Sequence, residues 1–135
     1  MDAYEQAAAI VRERDRDRFI ADLFAPEPVR KHLHALHAFD LEIARIRFVV
    51  SEAALGEIRM QWWRDAIANN AGGGNPLAEA LLETIDKFAL PRTAFDALLT
   101  ARIFDLYNDP MPTMADFEGY AGETSSAMVQ LGAIL

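Results

Sequence analysis

Three histidines, His32, His34 and His37, fall within six residues of one another. A metal site on a helix needs ligands three or four apart plus a carboxylate, and only His34 and His37 have that spacing. No third ligand follows in sequence, so they read as a solvated or interface pair. Asp40 and Glu42 are two apart and cannot share a helical face, which makes them a poor acid–base couple. Arg102 and Asp105 have the spacing of a local ion contact. The adjacent Trp62 and Trp63 read as one core ring and one interface ring. Tyr120 and Thr124 place hydroxyls inside an apolar stripe. They either bond the backbone of neighbouring helices or line a cavity, because a buried hydroxyl needs a partner. The chain has no glycine-rich phosphate loop, no nucleophile elbow and no cysteine.

The elements that would position these groups are helical. Apolar residues recur every three or four positions throughout, and no alternating strand pattern occurs. Residues 1–23 read as one or two helices containing the charge run from Arg12 to Arg18. Pro26 and Pro28 suit a helix start. Leu36, Phe39, Ile43, Ile46 and Val50 then form a seam. Ser51 with Glu52 is expected to cap the next helix, with Leu55, Ile58, Trp62 and Ala66 as its core stripe. Residues 69–75 (NNAGGGN) form a linker, closed by Asn75 and Pro76 as N-cap and first helical residue. Leu77, Leu81, Ile85 and Phe88 make the following stripe, and Phe95, Leu99, Ile103 and Leu106 the one after it. Asn108 to Pro110 ends that helix. Thr113 with Asp116 resembles a capping box, opening a last helix from Phe117 to Leu135.

The 135 residues suit a single all-α domain, with 52% hydrophobic content and enough length to bury a core. A net charge of −8 repels a phosphate backbone, so nucleic acid is not an expected partner. The acidic first residues differ from a signal or transit peptide, and no apolar run reaches the length of a membrane span. The expected location is the cytoplasm, with peripheral membrane contact as the variant. The chain stops inside an apolar helix without a stop signal, so it reads as the N-terminal part of a longer domain.

Several segments resemble the squalene/phytoene synthase family in order along the chain. These are residues 19–39 (FIADLFAPEPVRKHLHALHAF), 56–66 (GEIRMQWWRDA), 76–81 (PLAEAL), 101–107 (ARIFDLY) and 116–131 (DFEGYAGETSSAMVQL). The resemblance implies the N-terminal portion of the isoprenoid synthase helical fold. In the enzymes, the helix after the Ala-Phe pair carries an arginine and then two aspartates one turn apart. Those carboxylates hold magnesium, which neutralises a diphosphate leaving group. Aligned on residues 39–48, Leu41 stands at the arginine, and Ala44 and Phe48 stand at the two aspartates. Arg45 replaces a further acid, and the run from Arg14 to Arg18 stands where a polar segment helps to bind diphosphate. Neither Ala44 nor Phe48 ligates magnesium, and the Phe48 ring is expected to fill the metal's space.

These departures resemble the non-canonical branch of the family, which contains the mitochondrial respiratory complex I assembly factor and bacterial relatives. The segments concerned are residues 41–46, 50–52 and 58–64. The resemblance implies a prenyl-synthase fold reused for binding or assembly, as a pseudoenzyme without a cofactor and on the bacterial side of that branch. Its ligand-pocket candidates are Tyr120, Thr124, Arg45 and Asp105. The partners it implies are an apolar or isoprenoid ligand or a protein. The alternative is a magnesium-dependent head-to-head prenyltransferase joining two isoprenoid diphosphates. If the chain ends at Leu135, the seam from Leu36 to Ile46 and the last helix should lie uncovered, and self-association is expected.

Overall fold

The computed structural model describes residues 2–107 and 126–135, apart from the side chain of Asp105. Among the described residues every regular element is an α-helix. They are α1 (Ala3–Arg14), α2 (Arg16–Asp22), α3 (Glu27–Val49), α4 (Ala53–Asn69), α5 (Pro76–Phe88), α6 (Arg92–Leu106) and α7 (Ala127–Ile134).

Local chemistry sets most of the boundaries. Asp2 caps α1 by accepting from the Glu5 amide at 2.8 Å. Asp15 ends α1, and its side chain accepts from the Arg18 amide at 3.1 Å, so one residue separates two helices. Pro28 lies in the first turn of α3, where a missing N–H costs nothing. In the glycine linker, Asn70, Gly73 and Gly74 all take positive φ. Asn75 then caps α5 by accepting from the Ala78 amide, with Pro76 directly after it. At α4 the expected cap differs. Glu52 holds the N-cap position without a side-chain bond, and Ser51 does not serve. The capping box at Thr113 and Asp116 lies outside the described residues, as does the break at Asn108 to Pro110.

The longest helix, α3, is the centre of the molecule and packs on α1, α5 and α6. Leu36, Phe39, Ile43 and Ile46 are all buried. Phe39 meets Trp63 edge-on at 5.1 Å and Phe95 at 5.8 Å. The expectation that this seam would lie uncovered is therefore corrected: helices of this same chain cover it. On α7, Met128 and Leu131 are buried, while Val129 and Ile134 face out.

The expected core stripe of α4 is corrected too. The helix buries Gly56, Met60, Trp63, Ala66 and Ile67, and of the expected stripe only Ala66 is buried. Leu55, Ile58 and Trp62 point outward. Gly56 explains the rotation, because a β-carbon there would sit 2.5 Å from the Leu106 side chain. Close packing of α4 on α6 at that point turns the glycine inward.

Candidate functional site

Asp40 and Glu42 of α3 are both paired within the chain. Asp40 is buried, and its Oδ2 accepts from Arg18 Nη1 at 3.0 Å. Arg102, from α6, approaches its other oxygen at 3.5 Å. Glu42 turns to a different side and takes Arg14 at 2.8 Å. The two acids therefore do not act together, as their spacing implies. The arginine run of the first two helices is not an open diphosphate cradle either, since Arg14 and Arg18 neutralise carboxylates of α3.

The histidines form two separate arrangements. His34 and His37 converge on Asp22 at the end of α2, with His37 Nδ1 at 2.8 Å and His34 Nε2 at 3.8 Å from the same oxygen. Asp22 and His34 are buried, so the reading of a solvated or interface pair is corrected to an internal cluster. His34 also stacks on Phe19 at 5.3 Å. Burial holds its pKa below 6.5, with Asp22 working against that shift. His32 points elsewhere and lies 2.8 Å from the Thr84 hydroxyl. That hydroxyl donates its only hydrogen to the Ala80 carbonyl, so it accepts from His32 and Nδ1 carries the proton. Burial, then Lys87 and Lys31, lower the His32 pKa.

Sequence reasoning missed the role of Asp22 and the His32–Thr84 bond. One signal was present: Asp22 is an acid set between Ala21 and Leu23 in an otherwise apolar stretch.

The residues at the synthase-like positions stand apart from both clusters. Ala44 is half-buried. Phe48, near the end of α3, is 75% exposed with the Arg47 guanidinium 4.7 Å over its ring. The ring is therefore uncovered by the described helices rather than enclosed among them. Arg45 is exposed and joins neither carboxylate cluster. Tyr120 and Thr124 lie outside the described residues, and of Asp105 only the backbone, within α6, is described. One tryptophan is in the core and one is not, but the inward ring is Trp63 at 5% exposure rather than Trp62 of the expected stripe at 40%, their rings 5.1 Å apart edge to face.

A cleft of about 350 Å³ opens between α1, α3, α4 and the start of α5. Ile10, Ile46, Trp62, Trp63 and Leu77 form its apolar walls, and Glu42 and Arg59 stand among its polar residues.

The family model for squalene/phytoene synthase matches residues 11–134. The chain belongs to the squalene/phytoene synthase family. Among the relatives of this family member is a mouse (Mus musculus) protein named NADH dehydrogenase (ubiquinone) complex I, assembly factor 6. It is 26% identical over 125 residues, or 90% of this chain and 38% of the mouse protein. The cattle (Bos taurus) protein of the same name is 28% identical with the same coverage. A Dictyostelium discoideum homolog is 26% identical over 90% of this chain and 35% of its own length. The chain thus spans well under half of these relatives.

The resemblance puts Ala44 and Phe48 at the positions of the synthases' magnesium-binding aspartates, and neither side chain can ligate magnesium. Of the acids preceding them on α3, Asp40 is held by two arginines and Glu42 by Arg14. Among the described residues no group of three or more histidine, aspartate or glutamate side chains is arranged to hold a metal ion.

Proposed function

We propose that this chain is the N-terminal part of a non-catalytic member of the squalene/phytoene synthase family, one that serves assembly of a respiratory NADH dehydrogenase. The observation that carries the proposal is the closed polar network of α3. Asp40 and Glu42 are consumed by Arg18, Arg102 and Arg14, while Ala44 and Phe48 leave no carboxylate pair for a diphosphate-bound metal. The assembly-factor relatives, similar over nine-tenths of this chain, supply the direction. The partner is then a protein of that complex, and no cofactor takes part. A bacterial, cytoplasmic-side setting goes with this reading.

The test uses the full-length protein and its gene. Incubation with farnesyl and geranylgeranyl diphosphates and magnesium should give no joined product. Deleting the gene should lower the amount of assembled NADH dehydrogenase on native gels, and re-expression should restore it. Chelator-sensitive product formation would establish the prenyltransferase instead.

A further inference from the structure

The cleft between α1, α3, α4 and the start of α5 opens on the side of α3 away from the synthase-like positions. Glu42 and Ile46 line it. Each stands two residues from Ala44, about 200° around the helix. The chemistry of this cleft is therefore its own.

Its aromatic wall is held in place. Trp63 belongs to the core, and the Trp62 ring stands edge to face against it at 5.1 Å. On another side, Gly73 of the linker passes so close that a β-carbon there would lie 3.7 Å from Trp62 Cζ2. Although held from two sides, Trp62 is still 40% exposed. A fixed, open indole beside Ile10, Ile46 and Leu77 is a surface on which a second flat ring can stack.

The polar groups select the charge of that ring's substituent. Of the residues lining the cleft, only Arg59 and Glu42 are charged. Glu42 is neutralised by Arg14 at 2.8 Å. Arg59 is exposed and forms no ion pair or hydrogen bond among the described residues. Asn75 spends its Oδ1 on the Ala78 amide, which leaves its Nδ2 hydrogens for another acceptor. In a chain of net charge −8, the cleft thus keeps one uncompensated positive charge beside an open ring.

We infer that this cleft binds a small aromatic monocarboxylate, its ring on Trp62 and its carboxylate on Arg59. A volume of about 350 Å³ is at the small end of ligand sites and suits one or two fused rings. The planar guanidinium fork matches a carboxylate through two parallel bonds. One free cation balances one negative charge, whereas a phosphate monoester brings nearly two. A cationic ligand would face Arg59 directly, and a neutral one would leave its donors without an acceptor. The site adds a small-molecule ligand to a protein proposed to serve assembly, and it does not rest on that proposal.

The chain has two tryptophans, so its indole N–H groups give two signals in a nitrogen–proton correlation spectrum, assigned with Trp62→Phe. The protein is titrated with naphthoate, naphthalenemethanol and naphthylmethylamine, which share a ring system and differ in charge. Naphthoate should shift the Trp62 signal saturably. It should bind about three- to five-fold more tightly than the alcohol, as expected for one partly solvated ion pair, with the amine weakest. Arg59→Gln, at an exposed position, should abolish the preference for naphthoate while leaving the affinity for the alcohol unchanged. Trp62→Ala should weaken both. The inference is overturned by the absence of saturable binding up to about 5 mM naphthoate. Equal affinity for the three compounds, naphthoate binding unaltered in Arg59→Gln, or binding that spares the Trp62 signal would overturn it as well. None of these readouts depends on NADH dehydrogenase, so a negative result leaves the assembly reading standing.

Discussion

Arg18 Nη1 lies 3.0 Å from Asp40 Oδ2, and this bond fastens the second helix to the central one across 22 residues of sequence. Asp40 is buried while Arg18 is about one-third exposed, so water screens the arginine end of the pair. The value of the contact lies in satisfying the buried carboxylate, with Arg102 completing the arrangement on its other side. Asp40→Ala leaves two guanidiniums without their acid. It should cost about 1–3 kcal/mol, read by urea unfolding. Arg18→Met should cost less, because Arg102 remains. Equal stability of the Asp40→Ala variant and the parent would remove the network from the account of this fold.

Phe48 offers a contrast with Phe39 on the same helix. Phe39 is fully buried between Trp63 and Phe95, whereas Phe48 is mostly exposed. Phe39→Ala should lose about 3–5 kcal/mol. Ala44→Asp with Phe48→Asp restores the acid spacing of the synthases at little cost in stability, within about 1 kcal/mol. This double variant should still show no prenyl transfer, because Arg14 and Arg18 stay committed to Glu42 and Asp40. Activity gained by the two aspartates alone would show that the rest of the synthase site is intact.

Which parts of this were legible in the sequence follows from what periodicity measures. The α3 seam was readable because that helix is strongly apolar along one line, and the structure buries that line. In α4 both Leu55–Ile58–Trp62 and Gly56–Met60–Trp63–Ile67 have helical spacing, so periodicity alone does not say which set faces inward. The choice is made by Gly56 against Leu106, a contact 50 residues away in sequence. The family resemblance was legible because it rests on ordered local segments. The Asp22 cluster was not, since its acid and its histidines belong to different helices. For Tyr120 and Thr124 the choice between backbone partners and a cavity lies outside the described residues.

Ala89 ends α5 in the left-handed region at φ 50, where the Leu90 amide donates to the Ile85 carbonyl at 3.0 Å. Such helix ends favour glycine, because a β-carbon crowds the backbone there. The residue is exposed and its methyl group contributes little packing. Ala89→Gly should therefore stabilise the protein by about 0.5–1 kcal/mol. Thermal unfolding gives the sign directly, and a lower midpoint would contradict the argument.

The histidines set the direction of the pH response. Burial lowers the pKa of both His32 and His34 below 6.5 in the folded chain. In the unfolded chain they titrate near the ordinary value of about 6.5. Between those two values the unfolded state binds more protons than the folded one, so stability falls as the pH drops. Above about pH 7 both histidines are neutral in both states, and this contribution is fully present. Lys87 and Lys31 add to the effect at His32 and Glu83 opposes it, while at His34 Asp22 opposes it and His37 and Arg30 add to it. His32 is the simpler site to test, because its ring bonds a hydroxyl and not a carboxylate. Replacing it with glutamine keeps a donor for Thr84 and removes the titration. Urea unfolding of the parent should show stability falling between about pH 7 and pH 5, with a shallower slope in His32→Gln. An unchanged slope would place the acid sensitivity on other groups, and stability rising toward pH 5 would contradict the direction of both shifts.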